Sequence, residues 1–98
     1  MPSFRLTQQA KDDLKSIARY TQEIWGREQR NKYLGILDNC FHLLADKPDL
    51  GVACNEIRKY YRKFRIERHI IFYRKVADNI DIVRILHCRM DIERQLSD

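Results

Sequence analysis

The spacing of apolar residues changes near the middle of the chain. Up to Asp46 they recur every three or four positions, the period of an amphipathic helix. From Glu56 onward they recur every two, the period of a strand. A chain that makes this change once, helices first, folds as separate layers of helix and sheet. Phe4-Arg5-Leu6 alternates and predicts a short first strand over residues 3–6, with Thr7 as the next helix's N-cap. Ala10, Leu14, Ile17, Thr21, Ile24 and Trp25 follow at helical spacing, which assigns Trp25 to the core. Asp12 and Asp13 stand near the positive end of that helix, and Gly26 supplies its stop. A second helix is predicted over 27–46, with Tyr33, Ile36, Leu37, Cys40 and Leu44 as its stripe and Phe41 beside it. Gly35 inside it costs up to about 1 kcal/mol relative to alanine, which predicts that another element approaches closely there. Two helices joined this tightly form an antiparallel hairpin.

In the second half, residues 56–61 and 63–67 read as two short strands or one bent strand. Residues 69–76 and 80–87 are apolar on both faces, which belongs in the middle of a sheet. Asp78-Asn79 is the turn between them. A tail over 91–96, with Asp91 as N-cap, reads as one or two helical turns. The order is β-α-α-β-β-β: an α+β domain with an N-terminal helical hairpin packed on a small antiparallel sheet. At 98 residues the chain is expected to be a single domain, 1–98.

Composition narrows the function. A hydrophobic share of 44% supports one modest core and no deep pocket for a large cofactor, so no cofactor is expected. The strongest apolar run, Ile70-Ile71-Phe72-Tyr73, is far short of the ~18 residues a membrane helix needs. The start of the chain has no signal-peptide core, so a cytoplasmic protein without a membrane partner is expected. Cys40, Cys54 and Cys88 are odd in number and widely spaced, which reads as reduced thiols and no metal site.

The net charge of +5 is concentrated. Between Arg58 and Lys75 lie Arg58, Lys59, Arg62, Lys63, Arg65, Arg68, Arg74 and Lys75 against the single acid Glu67. Tyr60, Tyr61, Phe64, Phe72 and Tyr73 are interleaved with them, a pattern that suits an anionic partner, nucleic acid or an acidic protein segment. Arg84 stands between Val83 and Ile85 in a strand apolar on both faces, so it pairs with an acid or faces a binding groove. His69 and His87 sit at strand ends, as hydrogen-bonded structural groups or as groups titrating near neutrality. His42 reads as solvated.

Tyr20-Thr21, Trp25-Gly26-Arg27-Glu28-Gln29, Tyr33 and Leu43-Leu44-Ala45-Asp46-Lys47-Pro48 resemble the helical hairpin of ParE toxins. Tyr61-Arg62-Lys63-Phe64, His69-Ile70-Ile71-Phe72-Tyr73-Arg74 and Val83-Arg84-Ile85-Leu86-His87-Cys88-Arg89-Met90-Asp91 extend the likeness to residues 4–92. The resemblance implies a RelE/ParE-like fold and a toxin of a bacterial type II toxin–antitoxin pair. It implies action on DNA gyrase and its DNA by trapping the DNA-cleaved complex, which blocks replication. It also implies neutralisation by a ParD-like antitoxin, through which alone the pair binds operator DNA. Arg58, Arg62, Lys63, Arg65, Arg84, His87 and Arg89 are then the residues expected to face gyrase, its DNA or the antitoxin, and no catalytic residue is expected. The RelE branch of the fold cleaves mRNA on the ribosome, the alternative reading, with His69 or His87 as acid or base. Two departures stand out: Tyr60 occupies a position where many relatives have glycine, and Arg65-Ile66-Glu67-Arg68 replaces a small turn.

Overall fold

The computed structural model describes residues 3–89, and the helical turns expected over 91–96 lie outside them. The elements run β1 (Phe4–Leu6), α1 (Gln8–Trp25), α2 (Arg27–Asp46), a 3-10 turn (Pro48–Leu50), β2 (Val52–Ala53), β3 (Arg62–Ile66), β4 (His69–Val76) and β5 (Asn79–His87). Two helices thus pack on a five-stranded sheet of order β1-β5-β4-β3-β2, an α+β fold. The pairs from β2 to β5 are antiparallel. β1 joins the other edge in parallel, with Phe4 opposite Ile80 and Leu6 opposite Ile82.

Local chemistry sets the helix ends. The Thr7 hydroxyl oxygen accepts from the Ala10 N–H at 3.2 Å and donates to the Val83 carbonyl at 3.0 Å, so the N-cap also ties α1 to β5. Gly26, at φ +95°, closes α1 through its N–H to Gln22 O (2.9 Å) and opens α2. α2 buries Leu37, Cys40, Phe41, Leu44 and Ala45. With Ala10 and Ile17 of α1 these meet Ile71, Tyr73, Ile80, Ile82 and Ile85 of the sheet in the main core. The other sheet face carries a smaller buried cluster, Cys54, Phe72, Val83 and Leu86, packed by Ile57, Tyr61 and Ile70. A β-bulge at Phe72/Tyr73 sets Phe72 opposite Arg84 and Tyr73 opposite Ile82, leaving Val83 as the extra residue. That shift of phase lets Ile82 and Ile85 both join the helix-side core.

Three expectations fail for physical reasons. Residues 56–61 are a closed loop. The N–H groups of Ile57 and Arg58 both donate to Cys54 O (2.9 and 3.1 Å), and the Cys54 N–H donates to Tyr61 O (2.9 Å). Ile57 and Tyr61, four residues apart, fold onto the second cluster, and the ladder beside β3 is only the two residues of β2. Trp25 is 57% exposed, because the buried residues of α1 end at Thr21 and its last turn outruns the core. Nothing stands within 4 Å of where a Gly35 Cβ would lie, because Gly35 is on the exposed side of α2 while Tyr33 and Leu37 turn towards the core.

Gly51, by contrast, cannot carry a side chain. Its N–H donates to the buried Tyr73 hydroxyl (2.9 Å), which donates in turn to Pro48 O (2.6 Å). A Cβ there would overlap that hydroxyl and stand 2.8 Å from Lys63 O.

Candidate functional site

The eight cations of the 58–75 window do not form one surface. Arg62 lies opposite Tyr73 and is bound into the 48–51 segment, donating to Gly51 O (2.6 and 3.0 Å) and Asp49 O (3.2 Å). Lys75 pairs with Asp49 and holds that carboxyl below the usual carboxylate range. Arg74 and Arg5 flank the buried Asp81 from both neighbouring strands, at 3.4 and 3.6 Å. Arg68 lies over the Trp25 ring at 5.8 Å. Lys63 and Arg65 stand opposite Phe72 and Ile70, whose side chains belong to the smaller cluster, so strand alternation carries both cations to that face. The 54–61 loop covering that face adds Arg58 over Tyr61 (5.9 Å) and Lys59 over Tyr60 (5.1 Å).

Arg84 is paired. Its guanidinium donates to both Asp13 carboxylate oxygens, at 2.8 and 3.0 Å, with each side chain about 15% exposed. These hydrogen bonds push the Arg84 pKa further up. β1 ends at Leu6 opposite Ile82, and beyond it Asp13 takes the Ile85 N–H at 2.9 Å. The acid expected to serve the α1 dipole therefore closes the edge of β5.

Asp13 also borders an open groove of about 810 Å³ between α1, the start of α2 and the ends of β4 and β5. Tyr20, Trp25, Lys32, Arg68 and His87 line it, over a floor that includes Tyr33 and His69. Tyr33 Oη lies 2.6 Å from His69 Nδ1. Burial, with His87 beside it, lowers His69 to about 4, so at neutral pH the imidazole hydrogen-bonded to Tyr33 is uncharged. Burial likewise raises Tyr33, so neither partner ionises near neutrality. The His87 ring stands edge-on to His69 at 5.3 Å, and His87 Nδ1 accepts the Arg89 N–H at 3.1 Å. Burial also raises the thiols of Cys40 and Cys54. Among the described residues no group of three or more His, Cys, Asp or Glu could hold a metal.

The structure therefore gathers Arg58, Lys63 and Arg65 on the loop side of the sheet and sets His87 in the groove, with Arg84 on its border through Asp13. Arg62 is bound to loop carbonyls, and Arg89 follows β5. Tyr20 and Trp25, which line the groove, are not among the residues the sequence marks for binding; for Trp25 the signal is a stripe that runs one turn past Thr21.

Compared with known proteins, residues 4–92 match the family described as "ParE toxin of type II toxin-antitoxin system, parDE". The chain belongs to this family. Toxin ParE1 of Mycobacterium tuberculosis is 39% identical over 94 residues, covering 95% of this chain and 96% of its own. Toxin ParE1 of Caulobacter vibrioides is 33% identical (98% and 99% covered), and Toxin ParE of Escherichia coli 32% (100% and 96% covered). A solved structure, "Chromosomal ParDE TA system from P. aeruginosa", shares the fold of this ParE-family toxin at a TM-score of 0.77 and 21% identity, over 89% of this chain and 96% of that one. No helix among the described residues is long and apolar enough to cross a membrane.

Proposed function

We propose that this ParE-family toxin poisons DNA gyrase in the cytoplasm by trapping its DNA-cleaved complex, without chemistry of its own, and that a ParD-like antitoxin neutralises it. The observation carrying the non-enzymatic reading is that the cations expected to meet nucleic acid are either bound within the fold or remote from the histidines of the groove. A ribonuclease requires a base, an acid and cations converging on one phosphate. Here Arg84 is paired with Asp13, Arg62 with loop carbonyls, and His69 is neutral and hydrogen-bonded to Tyr33. Lys63 and Arg65 lie on the opposite sheet face. No tyrosine follows Tyr73 to partner His87.

The test is direct. Purified toxin with gyrase, ATP and supercoiled plasmid is expected to yield linear DNA. Absence of linear product at several-fold molar excess over gyrase overturns the reading. For the antitoxin, the groove offers exposed Tyr20 and Trp25 for the apolar face of a segment that orders on binding, with Lys32 and Arg68 for its acidic side chains. Trp25 is the only tryptophan, so its emission is expected to shift to the blue when the antitoxin's C-terminal segment binds.

A further inference from the structure

Tyr60 has φ +70°, the left-handed region that bulky side chains disfavour. The conformation is held from outside: Asn55 Oδ1 accepts the Tyr60 N–H at 3.0 Å, and the loop is clamped by Cys54 N–H to Tyr61 O at 2.9 Å. The fold does not use the ring, which is 72% exposed while Ile57 and Tyr61 of the same loop pack inward. Strain held at an exposed, unburied side chain points to a contact outside the molecule.

What surrounds Tyr60 sets the chemistry of that contact. Lys59 Nζ lies 5.1 Å from its ring centroid, Arg58 lies over the Tyr61 ring, and Lys63 and Arg65 project from β3 on the same face. Cations interleaved with rings match a polymer that brings one phosphate and one flat base per unit. An acidic peptide engages both only where apolar side chains alternate with its carboxylates, whereas every nucleotide brings both. A duplex hides its base faces in the stack. We infer that the loop side of the sheet is a docking surface for single-stranded nucleic acid, with Tyr60 as a stacking platform and Lys59, Lys63 and Arg65 as its phosphate contacts. The contact needs neither gyrase nor antitoxin, so its test is independent of the gyrase reading.

The test is fluorescence anisotropy of the purified chain with a labelled oligothymidylate of about 12 nucleotides, between about 50 and 200 mM salt. Binding is expected to weaken with salt at a log–log slope of about −2, the value for three phosphate contacts on a single strand. Arg65→Glu flattens that slope. Tyr60→Phe binds within about twofold, whereas Tyr60→Gly loses about fivefold or more, the range for one lost stacking contact. Tyr60→Gly relieves the strained backbone, which offsets the entropic cost of glycine, so its Tm is not lowered and its loss of binding cannot be put down to misfolding. Four results overturn the inference: no binding at the lower salt, unchanged binding by Tyr60→Gly, a duplex of equal length binding as tightly, or polyglutamate competing as well as the oligonucleotide at equal charge.

Discussion

The two faces of the sheet are built differently. On one, two helices cover β4 and β5 and close a core of which Leu37, Leu44, Ile71, Tyr73, Ile80 and Ile82 are the most deeply buried side chains. On the other, a single loop covers four buried residues and leaves Arg58, Lys59, Tyr60 and Arg65 exposed. Both faces descend from strands apolar on two sides, so the strands alone did not decide which would hold the molecule together. What decides is the cover. Helices bury a stripe over several turns, whereas a loop buries only the residues its turns point inward. The thin cover leaves that face free to carry charge and a strained aromatic, features a core face cannot tolerate.

The comparison breaks if the loop face proves equally structural. Leu44→Ala removes a fully buried side chain from the helix face and is expected to cost about 3–4 kcal/mol in urea unfolding. Ile57→Ala, in a loop able to settle inward, is expected to cost about 1 kcal/mol. Equal costs would mean that the loop is part of the core. Asp13→Ala comes next, at about 3 kcal/mol, because it removes both carboxylate hydrogen bonds of the part-buried Arg84 and the acceptor of the Ile85 N–H. Adding Arg84→Met should restore about 1 kcal/mol, since it removes a part-buried charge that has lost its carboxylate but does not supply the Ile85 N–H with an acceptor. Full recovery would show that the edge of β5 needs no closure.

Much of this was legible in the sequence. The change of period placed both helices, and the two-faced apolar pattern placed β4 at its observed ends, because period reports which way a side chain points. Period does not report how far the partner extends. Trp25 keeps the α1 stripe yet stands in the open, since the layer beneath it ends a turn earlier. In residues 56–61, a spacing of four between Ile57 and Tyr61 fits strand alternation and a helical turn equally well over so short a stretch. Neighbouring cations looked like one patch, but alternation sends Arg62 and Lys63 to opposite faces. The Arg84–Asp13 pair joins residues 71 apart in sequence, so the need for a partner was visible while its identity was not.

The groove end of the helix face sharpens the contrast through pH. His69 is lowered to about 4 in the fold, against about 6.5 when unfolded. Between those values the unfolded chain binds more protons, so stability rises with pH and is lost as pH falls from about 6.5 towards 4. Allowing for partial solvent screening, the expected loss between about pH 7 and pH 5 is about 1–2 kcal/mol. His69→Gln keeps an acceptor for Tyr33 and should flatten this dependence. An unchanged slope would place the titrating group elsewhere.

The smallest expected effect has the opposite sign and tests where the helix cover begins. Gly35 lies in α2 just before Leu37, the first residue of that helix to be buried, and is itself exposed. A β-carbon there meets nothing within 4 Å. Glycine in a helix interior carries an entropic cost that alanine lacks, so Gly35→Ala is expected to stabilise the chain by about 0.5–1 kcal/mol. Because the position is exposed, the gain should appear equally in the free toxin and in any complex that leaves this turn uncovered. A loss of stability in the free chain would mean that the turn packs against something. A gain in the free chain that vanishes when an antitoxin binds would mean that the bound segment reaches this turn and requires a residue without a side chain. Glycine would then belong there for the partner's approach, and the exposed side of α2 would be as much an interaction surface as the loop face is.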